Sequence, residues 1–188
     1  MTAADVAAIV IDSLNQSGAA YMLVGSLSSN LYGTPRNTND ADFVLSSATG
    51  DMSSIMRKLG DGFFLDPQVS FESVTGTLRR TATHTQTGFV IELFALSDDP
   101  HDLARFSRRR QIDFVGRPAF VPTVEDVIII KLRWAVIARR EKDIADVRNI
   151  LAVQPADRID MAYVRNWTRT HGSDALLGHL LAESSPPC

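Results

Sequence analysis

Two acidic residues separated by one position, Asp40 and Asp42, sit near the end of the segment YMLVGSLSSNLYGTPRNTNDADFVL, positions 21–45. Apolar Phe43-Val44-Leu45 follow directly, so the pair opens an extended run. Along a strand residues i and i+2 face the same way. Two carboxylates held that close on a half-buried surface repel unless a cation lies between them. The chemistry this spacing offers is a divalent-metal site. Upstream, an apolar run from Tyr21 to Val24 ends in Gly25-Ser26. Gly25 lets the backbone turn sharply and a ligand approach closely. Ser26 suits the start of a short helix running to Tyr32, whose free N–H groups attract an anion. An anion cradle beside a carboxylate-held cation is what a metal–nucleoside triphosphate requires, provided the two strands are neighbours.

A third acid fits the same picture. Residues 88–96, GFVIELFAL, are apolar except for Glu92 in the middle. A lone Glu in such a strand is rarely buried without a partner, and a cation shared with Asp40 and Asp42 would supply one. The alternative is a strand-edge Glu92 paired with Arg79 or Arg80. Arg36 and Thr38 lie in a turn-rich stretch, Gly33 to Asn39. Arg36 there either reaches a phosphate or neutralises Asp40, and Thr38 caps or stiffens the loop.

The pattern of apolar residues, Gly25-Ser26, a spacer and Asp40-x-Asp42 resembles the nucleotidyltransferase superfamily of DNA polymerase β. With Gly33, Arg36 and Thr38 added, it is similar to the branch of AbiEii-type abortive-infection toxins and related small bacterial nucleotidyltransferases. Further on, Glu125-Asp126, Lys131 and Lys142-Asp143-x-x-Asp146 resemble the Glu-Asp…Lys…Lys/Arg-Asp-x-x-Asp segment of that branch. The resemblance implies catalytic and metal-binding roles for Asp40, Asp42 and Glu92, with two Mg²⁺ ions and Mn²⁺ as a substitute. It puts Gly25, Ser26, Arg36, Thr38 and Lys131 at the nucleotide. It implies transfer of a nucleoside monophosphate from an NTP to an acceptor hydroxyl, on an RNA or tRNA end or on a protein. A toxin role would add a cognate antitoxin as partner.

Plainer readings stand beside these. Lys131 is otherwise a solvated lysine whose stem lies along its helix. Asp143 and Asp146 read first as helix-start acids favoured by the macrodipole and paired at the surface with Arg139, Arg140 or Lys142, with Asp143 otherwise a support behind the site. The whole chain is alternatively a catalytically silent nucleotide-binding or protein-interaction module of the same fold. In a purely structural reading Asp40 and Asp42 serve as loop caps.

The elements that must position these residues follow from the pattern. A helix over 2–17 precedes a strand over 20–24, a short helix over 26–32 and a strand over 40–45. A helix over 51–59, short strands near 62–66 and 69–74, and a hairpin pairing 77–84 with 88–95 follow. A second hairpin joins 111–115 to 119–121 through Gly116-Arg117-Pro118. Helices occupy the chain from 123 onward, including 162–170 and 174–182; Thr123 caps the first, with Asp126 at its third position. Strands first and helices last read as α+β: a mixed sheet with flanking helices, then a C-terminal helical segment. The division expected is a catalytic core over 1–122, a helical segment over 123–183 packed on it, and a disordered tail over 184–188.

Composition sets outer limits. The chain has 188 residues, 45% hydrophobic and 22% charged, with a net charge of −3, values of an ordinary globular protein. No apolar run approaches the ~20 residues of a membrane span. Residues 4–14 carry Asp5 and Asp12 and lack a basic start, so they read as an amphipathic helix rather than a signal peptide. The single cysteine, Cys188, fits a reducing cytoplasm. Arg105, Arg108, Arg109 and Arg110 form a basic cluster, read as a solvated face at this net charge. His84 and His101 read as surface or locally hydrogen-bonded residues. Oligomeric state is open.

Overall fold

The computed structural model describes residues 1–48, 51–72 and 75–184, and among these residues it forms eight strands and eight α-helices. They divide into two compact units: Met1–Leu27 with Asn37–Pro122, and Ser28–Arg36 with the chain from Thr123 onward. The short segment 28–36 thus belongs with the C-terminal helices. The expected tail over 184–188 lies outside the described residues but for the backbone of Ser184. So do the last two positions of the strand expected over 69–74.

The first unit is built on a mixed sheet. Helix α1 (Ala3–Ser17) starts with a reciprocal capping box between Thr2 and Asp5 and ends at Gly18, whose φ of 66° is left-handed. Then come β1 (Tyr21–Val24), α2 (Gly25–Asn30), β2 (Asp40–Leu45), α3 (Met52–Lys58), β3 (Phe63–Leu65), β4 (Ser70–Glu72), β5 (Thr77–His84) and β6 (Val90–Ala95). The strand order is β1-β2-β6-β5-β3, with β4 also on β5. Among the described residues only β2 and β6 run parallel; the other pairs of this sheet are antiparallel.

Alternation then sorts the side chains. One sheet face carries Phe43, Leu45, Ile91 and Leu93, all at most 1% exposed, packed with Val6, Val10, Ile11 and Leu14 of α1 and Ile55 and Met56 of α3. Each such side chain contributes roughly 2 kcal/mol by leaving water. The other face carries Met22, Val24 and Val44, which cluster with Phe106. Phe106 comes from α4 (Pro100–Ser107), a helix the sequence reading did not anticipate. Its start is nonetheless well marked: Asp99 accepts from the backbone N–H groups of His101 and Asp102, and Pro100 opens the helix.

Helix α4 also revises the basic cluster. Arg105 is buried, with Nε 2.7 Å from Asp102 Oδ1. Arg109 lays its guanidinium over Phe106, 4.3 Å from the ring centroid, and burial holds its pKa down. Arg108 and Arg110 remain exposed. His84 and His101 are both buried rather than superficial; His84 Nδ1 lies 2.8 Å from Thr87 Oγ1.

A hairpin of β7 (Arg110–Asp113) and β8 (Pro118–Val121) completes this unit. The second unit is helical: α5 (Val124–Ala138), α6 (Glu141–Val153), α7 (Met161–Thr170) and α8 (Asp174–Ser184). Its core joins Ile128, Ile129 and Leu132 of α5 to Val147 and Ile150 of α6, Val164 of α7, and Leu177 and Leu180 of α8. Tyr32 packs against this cluster, and its carbonyl accepts from Gln154 Nε2 at 2.6 Å. No described helix is long and apolar enough to cross a membrane.

Tyr21 links β1 to the rest of its unit through its hydroxyl, which donates to Asn15 Oδ1 at 3.1 Å with the Pro118 carbonyl 3.3 Å away. Burial is the main cause that pushes its phenol up to about 12 from 10.0. A raised acid pKa adds stability that is whole below the unfolded value and lost as pH climbs through the folded one. Tyr21→Phe is therefore expected to cost about 1 kcal/mol at neutral pH and to shrink the loss of stability between pH ~10 and ~12, checked by urea unfolding across that range.

Candidate active site

The acids sit on the sheet face opposite the main core, in register across neighbouring strands. Asp42 pairs with Val24 on one side and with Glu92 on the other, and Glu92 pairs with Thr81. One step along the same face, Asp40 lies opposite Val90. Directly paired residues share a face, so Asp40, Asp42 and Glu92 project from adjoining positions of one surface. The strand bearing Gly25 at its end is indeed the neighbour of the strand bearing the acids. All three acids are half-buried.

Gly25 answers to this arrangement in two ways. Its φ is +65°, a region side chains rarely adopt. A Cβ built on it would fall within 2.8 Å of Asp42 Cγ, with the carboxylate oxygen closer still. The glycine therefore keeps clear the space the Asp42 carboxylate occupies. Ser26 behind it is 6% exposed, in the first turn of α2.

The other acids have protein partners. The Asp40 carboxylate accepts from the Thr38 hydroxyl in a very short hydrogen bond. Glu92 Oε1 accepts from Arg79 Nη1 at 2.9 Å, which is the pairing the sequence left open as an alternative. Among the described residues no three His, Cys, Asp or Glu side chains converge on one ion-sized point. The donor set still suits a hard dication such as Mg²⁺: three carboxylates on one face, oxygen only.

Arg36 and Lys131 pair with acids of the helical unit. Lys131 is 7% exposed and donates to Asp143 Oδ1 and Asp146 Oδ2, each at 2.8 Å. Arg36 forks onto Asp146, with Nε 2.8 Å from Oδ1 and Nη2 3.1 Å from Oδ2. Arg140 Nε approaches Asp143 Oδ2 at 3.1 Å. Asp143 does lie in the first turn of α6 and does pair with Arg140, but at 2% and 4% exposed Asp143 and Asp146 are buried ion-pair partners rather than surface acids. Lys131 is likewise not a solvated lysine. The missed signal was spacing: Asp143 and Asp146 lie three apart on one helix face. Burial acts to raise the Asp146 carboxyl, but hydrogen bonds and charge from Arg36 and Lys131 outweigh it and hold the group below the usual carboxylate range.

No family model matches this sequence, and no curated protein matches it. Solved structures share its fold. The chain is similar to an antigenic nucleotidyltransferase-like protein from Paracoccidioides brasiliensis, with 14% identity, TM-score 0.61, and 99% of this chain and 94% of that one covered. It is similar to the antibiotic-resistance factor ANT(2'')-Ia in complex with adenylyl-2''-tobramycin, with 11% identity, TM-score 0.61, and 90% and 97% covered. The lincomycin-bound lincosamide antibiotic adenylyltransferase LnuA matches at 12% identity and TM-score 0.50, with 80% and 97% covered. The chain has the nucleotidyltransferase-type fold: a mixed sheet with flanking helices, followed by C-terminal helices.

Two expectations follow. Gly25→Ala should destabilise by about 2 kcal/mol or more, through strain at positive φ and displacement of the Asp42 carboxylate, read as a lowered melting temperature. Asp146→Asn should destabilise the helical unit by about 3 kcal/mol, since it uncouples buried Lys131 and half-buried Arg36. Because the Asp146 pKa is depressed, its stabilisation is present above pH ~4 and lost as pH falls through the folded value. The wild-type advantage over Asp146→Asn should therefore vanish in urea unfolding below that pH.

Proposed function

We propose that this protein is a nucleotidyltransferase that moves a nucleoside monophosphate from an NTP to an acceptor hydroxyl. The observation that carries the reading is the register of Asp42 opposite Glu92, with Asp40 two positions before Asp42, beside a strand that ends in Gly25-Ser26. The shared fold with adenylyltransferases supports it.

Asp40, Asp42 and Glu92 would hold divalent metal, two Mg²⁺ ions with Mn²⁺ as a substitute. Bound there, the metal offsets triphosphate charge and lowers the pKa of the acceptor hydroxyl. The turn at Gly25-Ser26 receives phosphate oxygens on its backbone N–H groups and the Ser26 hydroxyl. The acceptor oxygen forms a bond to the α-phosphorus while the bond from that phosphorus to the bridging oxygen breaks and pyrophosphate leaves. The hydroxyl proton passes to a carboxylate oxygen of Asp40 or Glu92. Thr38 orients Asp40 through the hydrogen bond its hydroxyl donates. Charge compensation and positioning carry the rate, as elsewhere in phosphoryl transfer.

The resemblance to the AbiEii-like branch favours an RNA or tRNA end or a protein hydroxyl as acceptor, and a toxin–antitoxin setting in a bacterial cytoplasm. The tobramycin adduct and the lincomycin in two fold neighbours favour a small-molecule hydroxyl as the second reading. The silent-module reading draws support from the Arg79–Glu92 pair, which already neutralises one acid. Titration of the four NTPs with Mg²⁺ into wild type and Asp42→Asn, followed by α-labelled NTP with RNA, protein and aminoglycoside acceptors, separates them. The expected outcome is Mg²⁺-dependent nucleotide binding lost in the variant, and transfer reduced on the order of a hundredfold or more at unchanged melting temperature. Transfer retained by Asp42→Asn at the wild-type rate would refute the two-metal site at Asp40, Asp42 and Glu92. A well-folded wild type that binds no NTP would favour the silent module.

A further inference from the structure

Arg79 is an arginine built into the acidic face rather than beside it. It stands on β5 two residues before Thr81, the partner of Glu92, and so on the same face as the three acids. Its own cross-strand partners are Phe94 on β6 and Ser70 on β4. The guanidinium reaches in both directions: Nη1 donates to Glu92 Oε1 at 2.9 Å and Nη2 to Ser70 Oγ at 3.4 Å. Arg79 is 35% exposed and Glu92 21%, so water screens this pair only in part.

We propose that Arg79 is the resident counter-cation of this surface and competes with a divalent ion for Glu92. The inference rests on the metal-binding reading of Asp40, Asp42 and Glu92. Glu92 already holds an ion pair with this arginine. A dication that takes Glu92 must either displace Nη1 from Oε1 or bind beside a fixed positive charge. Both lower its affinity. Arg79 thereby keeps the acids from repelling one another before the ion arrives, and sets a threshold concentration for its arrival. Arg79 is a positioning residue in this scheme, acting through Glu92.

A merely orienting arginine predicts the opposite sign, because its loss would free Glu92 to turn away and would weaken the metal site. Mn²⁺ alone, followed by electron paramagnetic resonance and calorimetry on the full chain, gives a readout that needs no acceptor and no turnover. Arg79→Gln should bind Mn²⁺ roughly fivefold more tightly than wild type, the scale of a partly exposed ion pair. Arg79→Lys, which keeps the charge, should stay within about twofold. Arg79→Met, which keeps the aliphatic stem, repeats the neutral test should Arg79→Gln fold poorly. Neutral variants that bind Mn²⁺ as wild type does or more weakly, with Asp42→Asn losing the ion, would overturn the role of Arg79 and leave the metal site standing. Mn²⁺ binding that Asp42→Asn does not diminish, or no binding by any variant, would overturn both.

Discussion

Everything at the acidic face depends on one pairing, the parallel alignment of β2 with β6. It alone brings Asp42 level with Glu92, and it does so between antiparallel neighbours on both sides. Side-chain period two makes that register unforgiving, since a slip by one residue would turn Asp42 into the core and Phe43 out of it. The hydrophobic layer guards against the slip. Phe43, Leu45, Ile91 and Leu93 are all buried against α1 and α3 in this register. Core packing on one face therefore fixes the chemistry on the other.

The two units handle charge by different physics. On the sheet, the carboxylates stay half-buried and accessible, which leaves their electrostatics open to an incoming ion. In the helical unit, Asp143 and Asp146 are withdrawn from water and bound by Lys131, Arg36 and Arg140. Buried ions of this kind stabilise little over an apolar core of equal volume, yet breaking one partnership is costly. Their effect is to specify: Arg36, whose backbone N–H and carbonyl are also held by the Asn30 side-chain amide, is tied to Asp146 of α6, 110 residues away in sequence.

Much of this was legible from residue types alone. The strands bearing Asp40, Asp42 and Glu92 announced themselves by apolar runs interrupted by acid, and Thr123 with Asp126 marked the start of α5. Two things were not. Helix α4 is short and charged, and its arginines dominated the reading of a stretch whose Asp99-Pro100 start carries the local signal. The partners of Lys131 were not legible either, because a lysine and two aspartates on helices read the same whether they face water or each other. Periodicity reports which residues share a face; it does not report what that face meets.

The parallel pairing also has a consequence in time. β5 and β6 form a hairpin that can close locally, and β1 meets β2 across a short helix and loop. β2 and β6, by contrast, are joined through the whole of α3, β3, β4 and β5. Closing so long a connection is the slow step in assembling such a sheet. A growing chain thus displays Asp40 and Asp42 well before Glu92 exists to join them, and the acidic face is complete only after Ala95 has been made and docked. The protein spends the first part of its life as a polypeptide with no site at all.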